Sequence, residues 1–143
     1  MRYLTKSRFS RALECPRKLT YLDNRAYANA NDANEFLKAL AEGGHQVGAL
    51  AKCLFPDGIE VDAMGHDAQV EQTKQLLEQD EVVLFEAAFR VVKLFIRVDL
   101  LRKSGNVIDL FEVKAKGFDP ADPGFIGASG GFLSGMKPYL YDV

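Results

Sequence analysis

Between residues 33 and 54, Phe36, Leu37, Leu40, Val47, Leu50, Ala51 and Leu54 recur at helical spacing, a broad apolar stripe that predicts an amphipathic helix. Gly43-Gly44 and Gly48 weaken that helix locally and allow close approach of another element. Upstream, Thr5 and Ser7 are helix starters, and Phe9, Ala12 and Leu13 supply an apolar side until Pro16 interrupts it. Two short helices are expected there, the second around Arg17–Asp23. Pro56-Asp57-Gly58 reads as a turn, Ile59–Val61 as a short strand, and Asp67–Gln79 as a further helix with Val70, Leu76 and Leu77 inward. The period then changes. Val82–Phe89, Leu94–Leu101 and Val107–Val113 are strand-like runs, with Arg102–Asn106 as a hairpin loop between the last two. From Gly117 to Gly135 six glycines and two prolines predict a loop, and Pro138–Val143 looks like the first turn of a helix.

Helices followed by strands place the chain in the α+β class, as one domain in three stretches: a mainly helical part (1–80), a three-stranded sheet (81–116), and a Gly-rich loop with the start of a helix (117–143). With 143 residues, 48% hydrophobic and 27% charged, the chain is long enough for one real core and is not of disordered composition. No apolar run has the length of a transmembrane helix, and the first residues lack the apolar core of a secretory signal. Two cysteines, Cys15 and Cys53, do not make a disulfide framework, so a reducing cytoplasm is the expected location and both are expected as small packing residues. Charge is unevenly spread. Residues 1–25 carry seven Lys/Arg against Glu14 and Asp23, a net +5, which leaves −7 for the rest of a chain whose total is −2. That basic segment, with Arg8, Arg11, Arg17 and Lys18, fits a phosphate-backbone contact, although charge alone favours a solvated amphipathic helix.

The candidate chemistry lies in the strands. Residues two apart share a strand face, so Glu112 and Lys114 point the same way, and a hairpin can bring Asp99 beside Glu112. Adjacent carboxylates repel unless one is protonated or a divalent cation joins them, and hard oxygen donors suit Mg²⁺ or Mn²⁺. A lysine beside such an ion can orient water or stabilise charge on a phosphoryl group. Glu86 strengthens the pattern, because it interrupts the apolar run Val-Val-Leu-Phe-Glu-Ala-Ala-Phe, where an unpaired carboxylate is costly. All four side chains are expected in one pocket beside the 33–54 helix.

The order Glu86, Asp99, Glu112-Val113-Lys114 resembles the PD-(D/E)XK nuclease superfamily, and within it the RecB-like branch that includes the CRISPR-adaptation exonucleases. The opening "LTKSRFSRALECPRKLTYL", the segment Gly44-His-Gln-Val-Gly48, and the pieces "LFPDGIEV", "FEAAF", "RVDLL" and "FEVKAK" are similar in order to an uncharacterised bacterial family related to that branch, so the resemblance spans nearly the whole chain. It implies a restriction-endonuclease-like core, with helices on a mixed or antiparallel sheet, and a Mg²⁺- or Mn²⁺-dependent DNA nuclease serving repair, recombination or defence. Asp99 and Glu112 would be metal ligands with the Val113 carbonyl, Lys114 the catalytic lysine, and Glu86 an aid to the metal or its waters. Where many RecB-like enzymes carry a metal-binding histidine this chain has Gly48, with His45 nearby as a substitute of low weight. In iron–sulfur members the cysteine before proline, here Cys15, is a cluster ligand, but four thiolates are needed and the chain has two cysteines, so no cluster is expected. The superfamily's last helix and strand have no counterpart, and no Gln follows Tyr139 and Tyr141. The chain therefore resembles the N-terminal part of such a nuclease, and self-association through surfaces left uncovered is expected.

Two other readings remain open. One is a catalytically inactive nuclease-fold module that binds nucleic acid or scaffolds a partner, and in either case the residues leave DNA and RNA both open as the nucleic acid. The other is an α+β domain whose strand acids are merely paired with Lys93 and Arg97.

Overall fold

The computed structural model describes residues 3–22, 24–29, 31–115, 117, 119, 121, 124–127, 129–133 and 136. The element order is β1 (Leu4–Thr5), α1 (Lys6–Glu14), α2 (Lys18–Tyr21), α3 (Glu35–Lys52), β2 (Ile59–Glu60), α4 (His66–Leu76), β3 (Glu81–Val91), β4 (Leu94–Ser104) and β5 (Val107–Phe111). The expected α+β class holds. The sheet is mixed and five-stranded rather than three-stranded: β3 pairs antiparallel with β4 and β4 with β5, while β1 and β2 join in parallel with β4 and β3. β1 and β5 lie on the same side of β4, β1 against Leu94–Phe95 and β5 against Leu100–Ser104. The helix start expected at Pro138 lies outside the described residues.

Local chemistry sets the boundaries. The Thr5 hydroxyl accepts from the Arg8 amide and the Asn34 side chain from the Leu37 amide, so each closes the first turn of its helix. Pro16 ends α1, and a Lys18–Glu14 ion pair bridges to α2; its hydrogen bond from Lys18 holds the Glu14 carboxyl below its ordinary pKa. β4 runs on through Arg102–Ser104, residues expected in a loop, because Glu81–Val83 supplies partners for them. The β4–β5 turn is thereby cut to Gly105-Asn106, with Gly105 at φ 57°, which glycine adopts without a steric penalty.

The core lies between β3, β4 and α4. Val82, Leu84, Ala87 and Leu101 are buried together, with Leu76, Leu77, Phe89 and Val98 against them. Thr73 is the buried polar residue of α4, 1% exposed, and its hydroxyl accepts the Ala88 amide at 2.9 Å. Thr73→Val keeps the volume but leaves that amide without its acceptor. It should cost about 2 kcal/mol, seen as a lower urea midpoint with an unchanged m-value, whereas Thr73→Ser should cost about half as much. A larger loss for Thr73→Ser than for Thr73→Val would show that packing, not the hydrogen bond, matters at this position.

α3 departs from expectation. Much of its stripe faces outward: Phe36 is 74% exposed, Leu50 69% and Leu54 76%, while Leu37, Val47 and Ala51 are half-buried, and among the described residues of α3 none is buried. The glycines do not admit a neighbour, since a Cβ at Gly43, Gly44 or Gly48 would meet open space. The close approach occurs instead at Gly58, where a Cβ would lie 2.4 Å from the Phe85 ring. Lys52 ties the helix end to β2 through both oxygens of Glu60, each at 2.7 Å. Cys53, expected to be packed, is exposed at the end of α3, and Cys15 is half-buried at the end of α1; both are free thiols.

Candidate active site

The centre of the β3–β4 pair is irregular. In a regular strand residues 82, 84, 86 and 88 would share one face. Here Val82 and Leu84 reach the α4-facing core before Glu86, but Ala87 and Phe89 reach it afterwards. On β4 the same change occurs, since Val98 and Leu101, three apart, both touch that core. The ladder keeps its count, with Phe85 opposite Leu100 and Ala87 opposite Val98, and omits only the Glu86–Asp99 pair between them. Glu86 supplies the backbone change, with φ 57° in the left-handed region that side chains other than glycine rarely adopt. Val92 is also at positive φ, 54°, but it lies in the tight β3–β4 turn, where that geometry is common. Glu86 is in mid-strand, where no turn requires it.

At this crossing point the two acids border two spaces. A cavity of about 300 Å³ on the α3 side is lined by Glu86, Asp99, Phe85, Leu100 and Val113 together with Gly44, His45, Gly48 and Lys52. Gly44 and Gly48 leave part of its helix wall without side chains, beside His45, Ala49, Ala51 and Lys52. The second space is an open cleft of about 560 Å³, lined by the same two acids with Thr5, Lys6, Ser7, His66, Gln69 and Arg97. Its floor includes Phe95, against which the His66 ring packs edge-on at 4.3 Å. Behind His66, the Tyr3 hydroxyl and the Arg90 guanidinium both donate to Asp67, and the Tyr3 contact helps to raise the Arg90 pKa.

The expected single pocket is therefore only partly assembled. Glu86, Asp99, Val113 and His45 share the α3 cavity, whereas Glu112 lines a different, apolar groove of about 350 Å³ with Phe9, Ile96, Val98 and Leu110. The physical reason lies at the end of β5. The Asp99 carboxylate accepts the Val113 amide at 2.8 Å, where ladder pairing would otherwise continue beyond Phe111. Glu112 is engaged separately: Lys6 and Lys114 both donate to its Oε1 at 2.5 Å. Glu86 is paired with Arg97 at 3.5 Å, one of the two cations that the merely structural reading named for the strand acids.

Of the basic residues expected to contact nucleic acid, Arg11 and Lys18 share a surface depression with Arg25, Tyr21 and Tyr27. Arg17 is exposed and Arg8 half-buried, and none of the four lines the cavities of the acid pair. Lys6, by contrast, lines both the cleft and the Glu112 groove, a position no local pattern announces because its partner is 106 residues away.

The residues that could hold a hard divalent cation in one space are the acid pair and not the full quartet, because Glu112 lines another groove. Mg²⁺ and Mn²⁺ sites often use one or two carboxylates and leave the remaining positions to water and substrate phosphate, and the α3 cavity offers two carboxylates and the Val113 backbone. Among the described residues, no group of three or more His, Cys, Asp or Glu side chains is arranged to hold a metal ion. No described helix is long and apolar enough to cross a membrane. No family model, no curated protein and no solved structure matches the chain.

Proposed function

We propose that the chain carries a Mg²⁺- or Mn²⁺-dependent nuclease site of the PD-(D/E)XK type on a restriction-endonuclease-like core, acting on DNA. The observation that carries this reading is the strained Glu86, held at φ 57° in mid-strand directly across from Asp99, with both acids bordering the same cavity. Strain of this kind costs on the order of 1–3 kcal/mol and persists where surrounding structure imposes it, most often at functional sites.

In this site Glu86 and Asp99 would hold the cation, with the Val113 carbonyl as a third oxygen donor. The bound cation would supply Lewis acidity toward a phosphoryl oxygen and a more acidic water. The chain's own residues do the rest. Val113 donates its amide to Asp99 Oδ2 and so fixes the direction of that carboxylate. Arg97 balances Glu86 and borders the open cleft, where a phosphodiester would find a cation beside the acids. The basic depression of Arg11, Lys18 and Arg25 offers a second place for a polynucleotide backbone.

The engagement of Glu112 by two lysines favours a second reading, a nuclease-fold module that binds nucleic acid without cutting it. Incubation with single- and double-stranded DNA in Mn²⁺, Mg²⁺ and EDTA separates the two. Cleavage in Mn²⁺ that EDTA abolishes is the expected result. Tight DNA binding without cleavage under any metal condition would leave only the second reading.

A further inference from the structure

The outward stripe of α3 has a finer order than amphipathicity alone requires. Phe36, Leu40, Gly43, Val47, Leu50 and Leu54 follow one another at intervals of four, three, four, three and four residues, the a/d spacing of a coiled-coil seam. Glu35, Lys38, Glu42 and Lys52, the charged residues of α3, all fall at c or f positions, away from that seam. The cavity of the acid pair takes other positions again, since Gly44, His45, Gly48, Ala49, Ala51 and Lys52 line it and none is at a or d. α3 thus has one side turned to the sheet and another to solvent, where Leu40 is 58% exposed alongside Phe36, Leu50 and Leu54, and Val47 is half-buried. A glycine inside a helix costs about 1 kcal/mol relative to alanine, and a Cβ at Gly43 would meet open space, so no packing within the described chain accounts for it.

We infer that two copies of the chain pair through α3 as an antiparallel, two-fold-symmetric dimer. When one helix runs backwards along the other with His45 at the midpoint, every a position meets a d position. Phe36 then faces Leu54 of the second copy, Leu40 faces Leu50, and Gly43 faces Val47. The missing side chain of Gly43 makes room for the branched Val47, whereas a parallel pairing would set glycine against glycine and leave a void at the centre. Antiparallel helices also oppose their dipoles. Covering Phe36, Leu40, Leu50 and Leu54 on both copies buries on the order of 1,000 Å², close to the lower limit for a specific interface, so the dimer is a weak one. A two-fold contact uses the same patch on each copy and closes at two. The pairing is independent of the nuclease chemistry, and it gives the self-association expected from the sequence a surface and a symmetry.

Sedimentation equilibrium of the full chain from about 5 to about 200 µM should show the mass rising from one chain toward two. Leu40→Glu and Leu50→Glu each set a carboxylate in a covered layer and should weaken association at least about tenfold. Both residues are exposed in the single chain, so the thermal melt of the dilute variants should match wild type. Either variant suffices should the other misfold by circular dichroism. Disulfide trapping in a Cys53→Ser background reads the orientation. Leu40→Cys mixed with Leu50→Cys should cross-link several-fold faster than either variant alone, because only the antiparallel pairing brings those two positions together. A constant mass of one chain across the range would overturn the inference, as would association that is unchanged in folded Leu40→Glu or Leu50→Glu. Masses beyond two chains would overturn it too, since a two-fold seam closes. Faster self-linking of Leu40→Cys than of the mixture would overturn the antiparallel arrangement.

Discussion

Asp99→Asn is expected to lower Mn²⁺-dependent DNA cleavage by at least about a hundredfold, close to 3 kcal/mol of transition-state stabilisation, and to abolish measurable Mn²⁺ binding. Asparagine is chosen over alanine for a structural reason. Asp99 Oδ2 accepts the Val113 amide at 2.8 Å, and the asparagine carbonyl can accept that same bond. The chain beyond β5 should therefore keep its path, and what changes is one negative charge facing Glu86. Alanine would remove the acceptor as well, leaving a partly buried amide unpaired at a cost of about 1–3 kcal/mol, and would confuse misplacement with lost ligation. Single-turnover cleavage beside calorimetry and a thermal melt separates these effects. A Tm within a degree or two of wild type with cleavage retained would defeat the assignment of Asp99.

Glu86→Gly is expected to make the protein more stable and less active. A left-handed backbone at a residue other than glycine costs about 1–2 kcal/mol. Glycine removes that cost, although its greater freedom in the unfolded chain returns about 0.5–1 kcal/mol. The Glu86–Arg97 pair is partly exposed, with side chains 34% and 51% accessible, so its loss subtracts little. The net gain should be up to about 1 kcal/mol, a rise of a few degrees in Tm, while cleavage falls at least about a hundredfold with the loss of one of two cavity carboxylates. Glu86→Gln is the companion variant. It keeps the strain and removes the charge, so its stability should stay near wild type while its activity falls as far. If Glu86→Gly is instead less stable than Glu86→Gln, the φ of 57° is not strained in its setting, and the inference from strain to function fails.

Much of this architecture is legible in the residues. The α3 stripe, the pause at Pro16 and the three long strands follow from period, capping and turn chemistry, and their positions agree with the structure within a few residues. β1 escaped because two residues carry no periodicity; Leu4 and Thr5 become a strand only by pairing with Leu94 and Phe95. The outward face of α3 escaped because an apolar stripe encodes a preference for burial, not the neighbour that provides it. At the site, Glu112 and Lys114 do meet, but through an ion pair beyond the end of β5 at Phe111 and not by strand alternation, and alternation could not foresee the slip at Glu86, since a change of strand face without a change of residue count leaves no mark on spacing. The continuous apolar run around Glu86 is compatible with either arrangement. Lys6 was legible only as one charge among seven in a basic segment.

The topology divides the entropy of assembling the site unequally. β3, β4 and β5 follow one another through two-residue turns, so bringing Glu86 across from Asp99 and Val113 closes only short loops. β1 meets β4 across about ninety residues of intervening chain, and Lys6 is the next residue after it. Closing that span exacts a larger conformational toll, though one that grows only slowly, by about 0.6 kcal/mol for each doubling of loop length. The two-residue β1 ladder, the Leu4 amide bond to Lys93 and the Lys6–Glu112 pair are among the contacts that offset it. The acids are thus gathered by local chain geometry, while the lysine reaches them by a long-range closure that rests on few contacts.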